Sequence, residues 1–418
     1  MTRLPVPELI QPTEARRLVL ERAIPLGDEP VSLRAALGRV LAEDVKSDYP
    51  VPGFDNSAMD GFAVRAADIR GATARDPVTL RLADESRAGS SAGSTLAEGQ
   101  AIAISTGAMV PAGADSVVRV EDTTTRDGRV EVSVEVEPGQ NVRRSGEDIK
   151  PGASVLRRGT TIGAAELGVL ASVGAGEVSC ARRPRTWVLT TGDELLEPDD
   201  PLRPGGVRNS NAYSIPSLAL DAGAEIAAIE TVRDDANATR GAIEAAIQAD
   251  VAVISGGVSV GEHDHVKAAL EALGVEQVFW RVALKPGKPT WFGVAPGGAL
   301  VFGLPGNPVS AMVTFLLFAR PAIRAMLRAG ERIRRVAAIL DEDLPKAPGR
   351  AHAVRCSLEL RDDGWHASPT GNQGSHVLTS MLGADALAIV PAEGTAPVAG
   401  SQIEVELLPS AGPLASSR

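Results

Sequence analysis

The chain has 418 residues, 44% of them hydrophobic, and a formal net charge of −11 at pH 7. The length predicts two to four domains, and the hydrophobic content excludes a mainly disordered chain. The negative charge argues against broad, nonspecific nucleic-acid binding, so an anionic ligand would have to meet local basic groups. Two distant cysteines, Cys180 and Cys356, do not suggest a disulfide framework and suit a reducing cytosol.

The N-terminal part of the chain mixes helix and strand signals. Apolar spacing predicts helices over 13–26 and 31–41. From Phe54 to about Val142, short alternating runs separated by turn residues predict a small β-rich module. One short helix is predicted near 164–173. The first residues lack a signal-peptide core, and the apolar run at 315–318 is too short to span a bilayer, so we expect a cytoplasmic protein with no membrane partner.

From about 185 to 328, predicted strands alternate with predicted helices. This alternation predicts a doubly wound parallel α/β domain with helices on both faces. The predicted strands lie near 187–189, 225–229, 251–254, 278–282 and 300–302, and the predicted helices near 212–222, 236–248, 266–273 and 309–327. After 335, alternating runs near 336–340, 352–360, 387–390 and 403–408 predict a small closed β-barrel.

Three Gly-rich loops, at 190–195, 255–264 and 303–308, each follow a predicted strand. Parallel strands would bring these loops to the carboxyl edge of one sheet, where open α/β sheets bind ligands. Glycine lets backbone N–H groups approach phosphate closely, and helix N-termini add positive potential. A tight turn without a ligand remains an alternative for each loop. The candidate substrate-binding residues here are Thr191, Gly192, Ser255, Gly256, Gly257, Ser259, Pro305, Gly306, Asn307 and Pro308.

Acidic and basic side chains accompany these loops. A carboxylate such as Asp264 or Glu194 beside a phosphate is repulsive unless a cation lies between them, and Mg²⁺ commonly bridges carboxylates to substrate phosphates. Either acid, like Asp234, could instead serve only a helix N-terminus. Lys285 and Lys288 flank a stiff Pro-Gly pair and are candidate anion anchors.

The β-rich module carries polar groups whose partners the spacing does not identify. Asp55 and Asp60 lie in one polar turn segment, and Thr106 lies in another. Arg143 and Arg144 could pair with a phosphate or with internal carboxylates.

Eight ordered motifs together resemble the molybdopterin molybdenumtransferase family, the group of MoeA and the gephyrin E-domain. The resemblance covers nearly the whole chain. The motifs are Asp55-Asn-Ser-Ala-Met-Asp-Gly61, Thr106-Gly107, Gly146-Glu-Asp148, Thr190-Thr-Gly-Asp-Glu-Leu195, Ser255-Gly-Gly-Val-Ser-Val-Gly261, Lys285-Pro-Gly-Lys-Pro289, Gly303-Leu-Pro-Gly-Asn-Pro308 and Gln373-Gly-Ser-His376.

The resemblance implies the final step of molybdenum cofactor synthesis, in which adenylylated molybdopterin and molybdate give the cofactor and AMP with the help of Mg²⁺. It implies an elongated homodimer whose cleft pairs the third domain of one subunit with the second domain of the other. A molybdopterin adenylyltransferase and molybdoenzyme apoproteins are the further partners we expect. The implied domains are a split linker and dimerisation domain (1–53 and 143–184), a β-rich domain (54–142), an α/β molybdopterin-binding domain (185–330) and a C-terminal β-barrel (335–410).

The resemblance also assigns roles to individual residues. It implies catalytic roles for Asp60, Thr106, Glu194, Asp234, Asp264 and Lys285, of which Asp264 and Glu194 would be metal ligands, and it adds Ser375 to the substrate-binding residues. Two positions depart from the family pattern, because Arg281 replaces a frequent lysine and Asn372 a frequent histidine. Two competing functions are a molybdopterin adenylyltransferase and a non-catalytic scaffold of the gephyrin type.

Overall fold

The computed structural model describes residues 9–258, 265–329 and 334–409. The chain divides into two compact units. The first unit contains the described residues of 1–29, 38–42 and 179–418, and the second contains 30–37 and 43–178. Two strands, Asp28–Ser32 and Glu177–Ala181, run across the boundaries between these segments. The four-domain division predicted from the sequence stays a prediction.

The second unit is built on a six-stranded mixed sheet, as the alternating runs predict. Its core includes Phe62, Ile69, Leu80 and Val118, all buried. The strands lie in the spatial order Ser116–Arg119, Gly61–Val64, Gln100–Ile104, Val78–Ser86, Arg129–Val132 and Thr123–Arg126, and one pair alone, Val78–Ser86 with Gln100–Ile104, is parallel.

Shorter elements complete the second unit. The strand Val45–Lys46 pairs with Ser154–Leu156, and Asn56–Ser57 pairs with Val142–Arg143. The helix Ala164–Ser172 matches the predicted short helix. The 3-10 helices of this part of the chain are Leu33–Ala35, Ala66–Ile69 and Val120–Asp122.

The helix predicted over 31–41 is wrong. The structure has the strand Asp28–Ser32 followed by the single 3-10 turn Leu33–Ala35. Gly38 adopts a φ of +73°, which would end within two turns any helix that began at Val31. The apolar spacing here arises from a strand and a turn.

The first unit contains a six-stranded sheet of which four neighbouring strands are parallel. The strands lie in the spatial order Glu225–Val232, Arg185–Thr191, Val251–Ser255, Leu300–Leu304, Trp291–Val294 and Glu276–Trp280. The α/β prediction is therefore confirmed, but Trp291–Val294, which the sequence analysis missed, runs antiparallel to both of its neighbours. A short turn at Gly297 and Gly298 joins it to Leu300–Leu304 as a hairpin, and this turn composition conceals the strand in the sequence.

Helices cover both faces of this sheet, because alternate residues of each strand point to opposite faces. Val253 and Phe302 pack in a core with three helices, whereas Ile254 and Val301 pack with two others. The first three helices are Pro12–Arg22, Asn211–Asp221 and Pro308–Met326, and the other two are Ala236–Ala246 and His265–Ala272. Each fully buried phenylalanine in such a core contributes roughly 1.5–3 kcal/mol to stability.

The helix Pro308–Met326 contains a π-helical turn at Phe315–Ala319. By length and composition alone it could cross a membrane, but a core helix that is buried inside a folded protein passes the same test. Of its most apolar window, 78% is buried inside the protein.

The C-terminal sheet closes on itself, as the sequence predicts. The order of the ring is Ala351–Arg361, Gly364–Pro369, Arg335–Leu340, Gln402–Leu407 and Ala386–Val390, and the last strand pairs again with the first. Gly364–Pro369 was not predicted, nor was the two-residue strand Leu284–Lys285, which joins this sheet beside Ala351 and His352. The remaining short elements are the parallel pair Leu195–Leu196 and Val207–Arg208 and the 3-10 helix Leu378–Met381.

Candidate functional site

A cavity of about 750 Å³ lies at the carboxyl edge of the α/β sheet. It is enclosed by the loops that follow four parallel strands, so the predicted meeting of these loops is confirmed. The described residues that line it are Thr190, Thr191, Gly192, Glu194, Leu195, Val207, Arg208, Asn209, Ser210, Asn211, Asp234, Ser255, Gly256, Gly257, Gly306, Asn307, Pro308 and His376.

The cavity floor requires glycine at position 256. Gly256 has a φ of +101°, and a Cβ atom there would lie 2.7 Å from the backbone oxygen of Thr191. The N–H of Gly256 donates to the carbonyl oxygen of Leu304, which ties two of the loops together. A side chain at this position would therefore both strain the backbone and separate the loops.

Asn211 connects the loop at 303–308 to the end of the strand Val251–Ser255. Its Nδ2 donates to Ser255 Oγ and to the carbonyl oxygen of Gly306, both at 2.8 Å. Ser255 Oγ in turn donates to the carbonyl oxygen of Pro305 at 3.3 Å. Pro305 and Ser255 are thus brought to the site, as predicted, whereas Asn211 was not named as a site residue.

Asn209 performs a similar task on the other side of the cavity. Its Nδ2 donates to Thr190 Oγ1 at 2.8 Å and to Thr231 Oγ1 at 3.0 Å, while its Oδ1 accepts from the N–H of Ala212. The sequence analysis predicted a helix near 212–222 but overlooked the two asparagines before it. Their position at a helix N-terminus is the signal that could have revealed them.

Two carboxylates line the cavity. Glu194 lies against Gly192, where a Cβ atom would be 2.6 Å from a carboxylate oxygen. The backbone N–H of Asp193 donates to the carboxylate of Asp234, and the N–H of Asp234 donates to the carboxylate of Asp193, both at a weak 3.4 Å. No group of three metal-ligating side chains exists among the described residues. Two carboxylates nevertheless fit Mg²⁺, which is usually held by one or two carboxylates together with substrate phosphates.

The C-terminal sheet contributes one wall. His376 lines the cavity, and the carbonyl oxygen of the neighbouring Ser375 accepts from the N–H of Val309 at 3.2 Å. Their loop is held by Arg355, a fully buried residue whose guanidinium donates to Ser380 Oγ and to the carbonyl oxygens of Asn372 and Gly374. Burial lowers the pKa of Arg355 to about 10.

Lys285 and Lys288 are not among the described residues that line the cavity. Lys285 pairs with His352 in the C-terminal sheet, and the carbonyl oxygen of Lys288 accepts from the N–H of Val282. Arg281, one of the two departures, lies over the ring of Trp280 with its Cζ 4.2 Å from the ring centre. The predicted roles of the two lysines in anion binding stay predictions.

Two of the predicted residues of the second unit contact each other. Asp60 accepts a hydrogen bond of 2.7 Å from the N–H of Thr106, so two residues 46 positions apart are brought together. Arg143 lies in the strand that pairs with Asn56. Asp60 and Thr106 therefore belong to one structural feature of this unit.

Arg144 forms an ion pair with Asp55, with a distance of 2.6 Å between Nη1 and Oδ2. The N–H of Ser145 and the guanidinium of Arg144 lower the pKa of Asp55. This ion pair favours the alternative in which Arg144 pairs with an internal carboxylate rather than with a phosphate.

Two predicted residues, Ser259 and Asp264, lie outside the described residues.

Family comparisons cover almost the entire chain. The family described as "MoeA N-terminal region (domain I and II)" matches residues 10–174, "Probable molybdopterin binding domain" matches 187–325, and "MoeA C-terminal region (domain IV)" matches 337–408. Molybdopterin molybdenumtransferase of Haemophilus influenzae is 38% identical over 400 residues, which cover 94% of this chain and 97% of that protein. The chain belongs to the molybdopterin molybdenumtransferase family.

Other members of the molybdopterin molybdenumtransferase family show the same extent of similarity. Molybdopterin molybdenumtransferase 2 of Mycobacterium tuberculosis is 38% identical over 406 residues, covering 94% of this chain and 98% of that protein. A crystal structure of the molybdopterin biosynthesis MoeA protein of Pyrococcus horikoshii superimposes with a TM-score of 0.81 at 30% identity, covering 96% of this chain and 100% of that one. The predicted family and multidomain fold class are both confirmed.

Proposed function

We propose that the chain is a transferase that inserts molybdate into adenylylated molybdopterin and releases AMP. The observation that carries this proposal is the cavity at the carboxyl edge of the sheet, built by the Gly-rich loops of a chain that matches a named molybdopterin molybdenumtransferase over 94% of its length. Its volume of about 750 Å³ suits a small organic ligand. The Gly-rich turns let the backbone approach a phosphate group closely.

The carboxylates of Glu194 and Asp234 support a proposed Mg²⁺ requirement. They lie on the cavity wall where a phosphate-bearing substrate would enter, and two like charges there disfavour an anion unless a cation offsets them. We expect Glu194 to hold the ion, with Asp264 as the second ligand. When bound, Mg²⁺ would polarise the phosphoanhydride and stabilise the leaving AMP.

The remaining residues have positioning and anion-binding roles in this proposal. Asn211 and Asn209 hold the loops at the distances reported above, so the substrate meets a preorganised wall. Lys285 and Lys288 remain the proposed anion anchors, and Asp60 the proposed organiser of the molybdate or dithiolene end of the substrates. By the family resemblance, Asp60 and Thr106 would act in the cleft of a second copy in a homodimer. A cytoplasmic location, supply of substrate by an adenylyltransferase and delivery to molybdoenzyme apoproteins complete the proposal.

The decisive experiment follows AMP release from adenylylated molybdopterin in the presence of molybdate and Mg²⁺. The parent protein should release AMP only when all three are present. Glu194→Gln should need a Mg²⁺ concentration at least ~10-fold higher for the same rate. Glu225→Gln, which removes a carboxylate at the amino end of the strand Glu225–Val232, is the matched control and should behave like the parent.

The competing functions give different results in the same experiment. A molybdopterin adenylyltransferase would consume ATP with molybdopterin, and we expect no such activity. A scaffold would bind its partners without any AMP release, and that binding would survive Asp264→Asn. AMP release that is independent of molybdate would contradict the proposed transfer.

A further inference from the structure

The described residues that line the cavity carry more negative than positive charge, and the predicted anion anchors are not among them. Two carboxylates, Glu194 and Asp234, line it, and neither Lys285 nor Lys288 does. Among the described lining residues, Arg208 is the sole lysine or arginine. A phosphate-bearing ligand therefore meets one permanent positive charge from these residues.

One hydrogen bond from its own side chain holds Arg208 at the cavity wall. Its Nη1 donates to the backbone carbonyl oxygen of Glu197. The carboxylate of Glu197 accepts from the hydroxyl of Tyr213 at 2.8 Å, which raises the pKa of Tyr213. Arg208 also ends the short strand Val207–Arg208, which pairs with Leu195–Leu196. Backbone pairing and side-chain contacts together limit where the guanidinium can lie.

The rest of the guanidinium is available for a ligand. Among the described residues, no carboxylate forms an ion pair with Arg208, and its Nε and Nη2 donate no hydrogen bond to any of them. The residue is half-buried, so its charge is less screened than that of a fully exposed arginine. Guanidinium groups bind phosphate through two parallel hydrogen bonds, which a lysine cannot reproduce.

We propose that Arg208 binds the phosphate of the adenylyl group and so distinguishes a phosphorylated nucleotide from its nucleoside. This inference rests on the proposed function, because that function brings an adenylylated substrate into the cavity. Arg208 would then be a phosphate-binding side chain of the α/β domain that lies outside the Gly-rich motifs. Arg208 contacts the substrate and moves no proton.

Binding of AMP and of adenosine, each measured by calorimetry at constant Mg²⁺, tests this assignment. Arg208→Gln should weaken AMP binding by about 10- to 100-fold, since a hydrogen bond to a charged group is lost. Adenosine, which lacks the phosphate, should bind the parent and the variant equally. Arg208→Lys keeps the charge but not the planar fork, and its AMP affinity should lie between the two.

Arg240→Gln is the matched control, because it removes one positive charge from an exposed position on the helix Ala236–Ala246. It should leave both affinities unchanged, and circular dichroism should show that all variants fold. Equal AMP binding by the parent and Arg208→Gln, or equal losses for AMP and adenosine, would overturn the role of Arg208 alone. A parent protein that binds neither ligand would overturn the proposed function as well.

Discussion

Asn211 Nδ2 lies 2.8 Å from Ser255 Oγ, and this hydrogen bond joins the start of a helix to the end of a central strand. The same nitrogen donates to the carbonyl oxygen of Gly306, so one buried side chain joins three of the segments that enclose the cavity. The carbonyl of Gly306 can only accept, which determines the orientation of the amide. Asn211 therefore links the stability of the first unit to the shape of its site.

Asn211→Ala should destabilise the first unit by about 1–3 kcal/mol, because it leaves the buried Ser255 Oγ and the carbonyl oxygen of Gly306 without this donor. Urea unfolding followed by tryptophan fluorescence measures this, since all four tryptophans lie in that unit. Asn237→Ala, at an exposed position of the helix Ala236–Ala246, is the control and should change stability by less than about 0.5 kcal/mol. Equal stabilities of the two variants would contradict the role of Asn211.

Gly256→Ala should destabilise the same unit by roughly 1–3 kcal/mol, because the new Cβ would meet the backbone oxygen of Thr191 at 2.7 Å at a φ of +101°. It should also weaken AMP binding by distorting the cavity floor. Gly241→Ala is the contrasting control: Gly241 lies within the helix Ala236–Ala246, and a Cβ there meets nothing within 4 Å. That variant should be more stable by about 0.5–1 kcal/mol. If the unfolding free energy of both variants rose, or that of both fell, the argument from backbone strain at Gly256 would be contradicted.

His352 should make the first unit sensitive to acid. Burial lowers its pKa to about 4, and the carbonyl of Pro345 accepts from Nδ1 at 2.9 Å, while the buried Nε2 has no hydrogen-bond partner among the residues that the structure describes. Because the unfolded chain takes up the proton at a higher pH, stability should fall as the pH drops from about 6.5 towards 4. Near pH 5 the loss should be about 2 kcal/mol.

His352→Asn tests this effect, because an amide can still donate to Pro345 but does not titrate. The difference in unfolding free energy between the parent and the variant should change between about pH 7.5 and pH 5. His366 should affect the pH dependence of stability in the opposite direction, because hydrogen bonds to Asp341 and Asp363 raise its pKa. The stability that His366 contributes should be present below its unfolded pKa and be lost as the pH rises through the folded one. A pH-independent difference for His352→Asn would refute the prediction.

Asp60→Ala and Asp264→Ala should each abolish AMP release as homodimers, if the two residues act in a shared cleft between subunits. Mixed and exchanged chains should form heterodimers in which one site carries both changes and the other carries neither. The intact site should restore up to about half of the parent activity per heterodimer. Differently tagged chains measure the heterodimer content, and each variant exchanged with itself is the control. Confirmed heterodimers without recovered activity would mean that Asp60 and Asp264 serve the site of the same subunit, or that the two sites do not act independently.

The sequence alone predicts which loops come together at the site. Apolar runs followed by Gly-rich turns indicate parallel strands, and parallel strands in one sheet end at the same edge, so Thr191, Gly256 and Asn307 had to lie near one another. The closed C-terminal barrel could likewise be predicted from its alternating runs. The family resemblance implied a role in one cleft for Asp60 and Thr106, but the hydrogen bond between them was not predicted, because residues in two separate turns carry no local signal of contact.

The sequence by itself determined the family, the parallel strands of the α/β sheet and the glycines of the cavity floor, because these depend on local backbone preferences and on ordered motifs. Only the tertiary structure decided which polar side chains face the cavity. Arg208 follows a long turn and enters the site through a two-residue strand pair, too short to leave a periodic pattern. Lys285 is not among the described residues that line the cavity, and its backbone pairs with His352 in a distant strand, a contact that no local preference encodes.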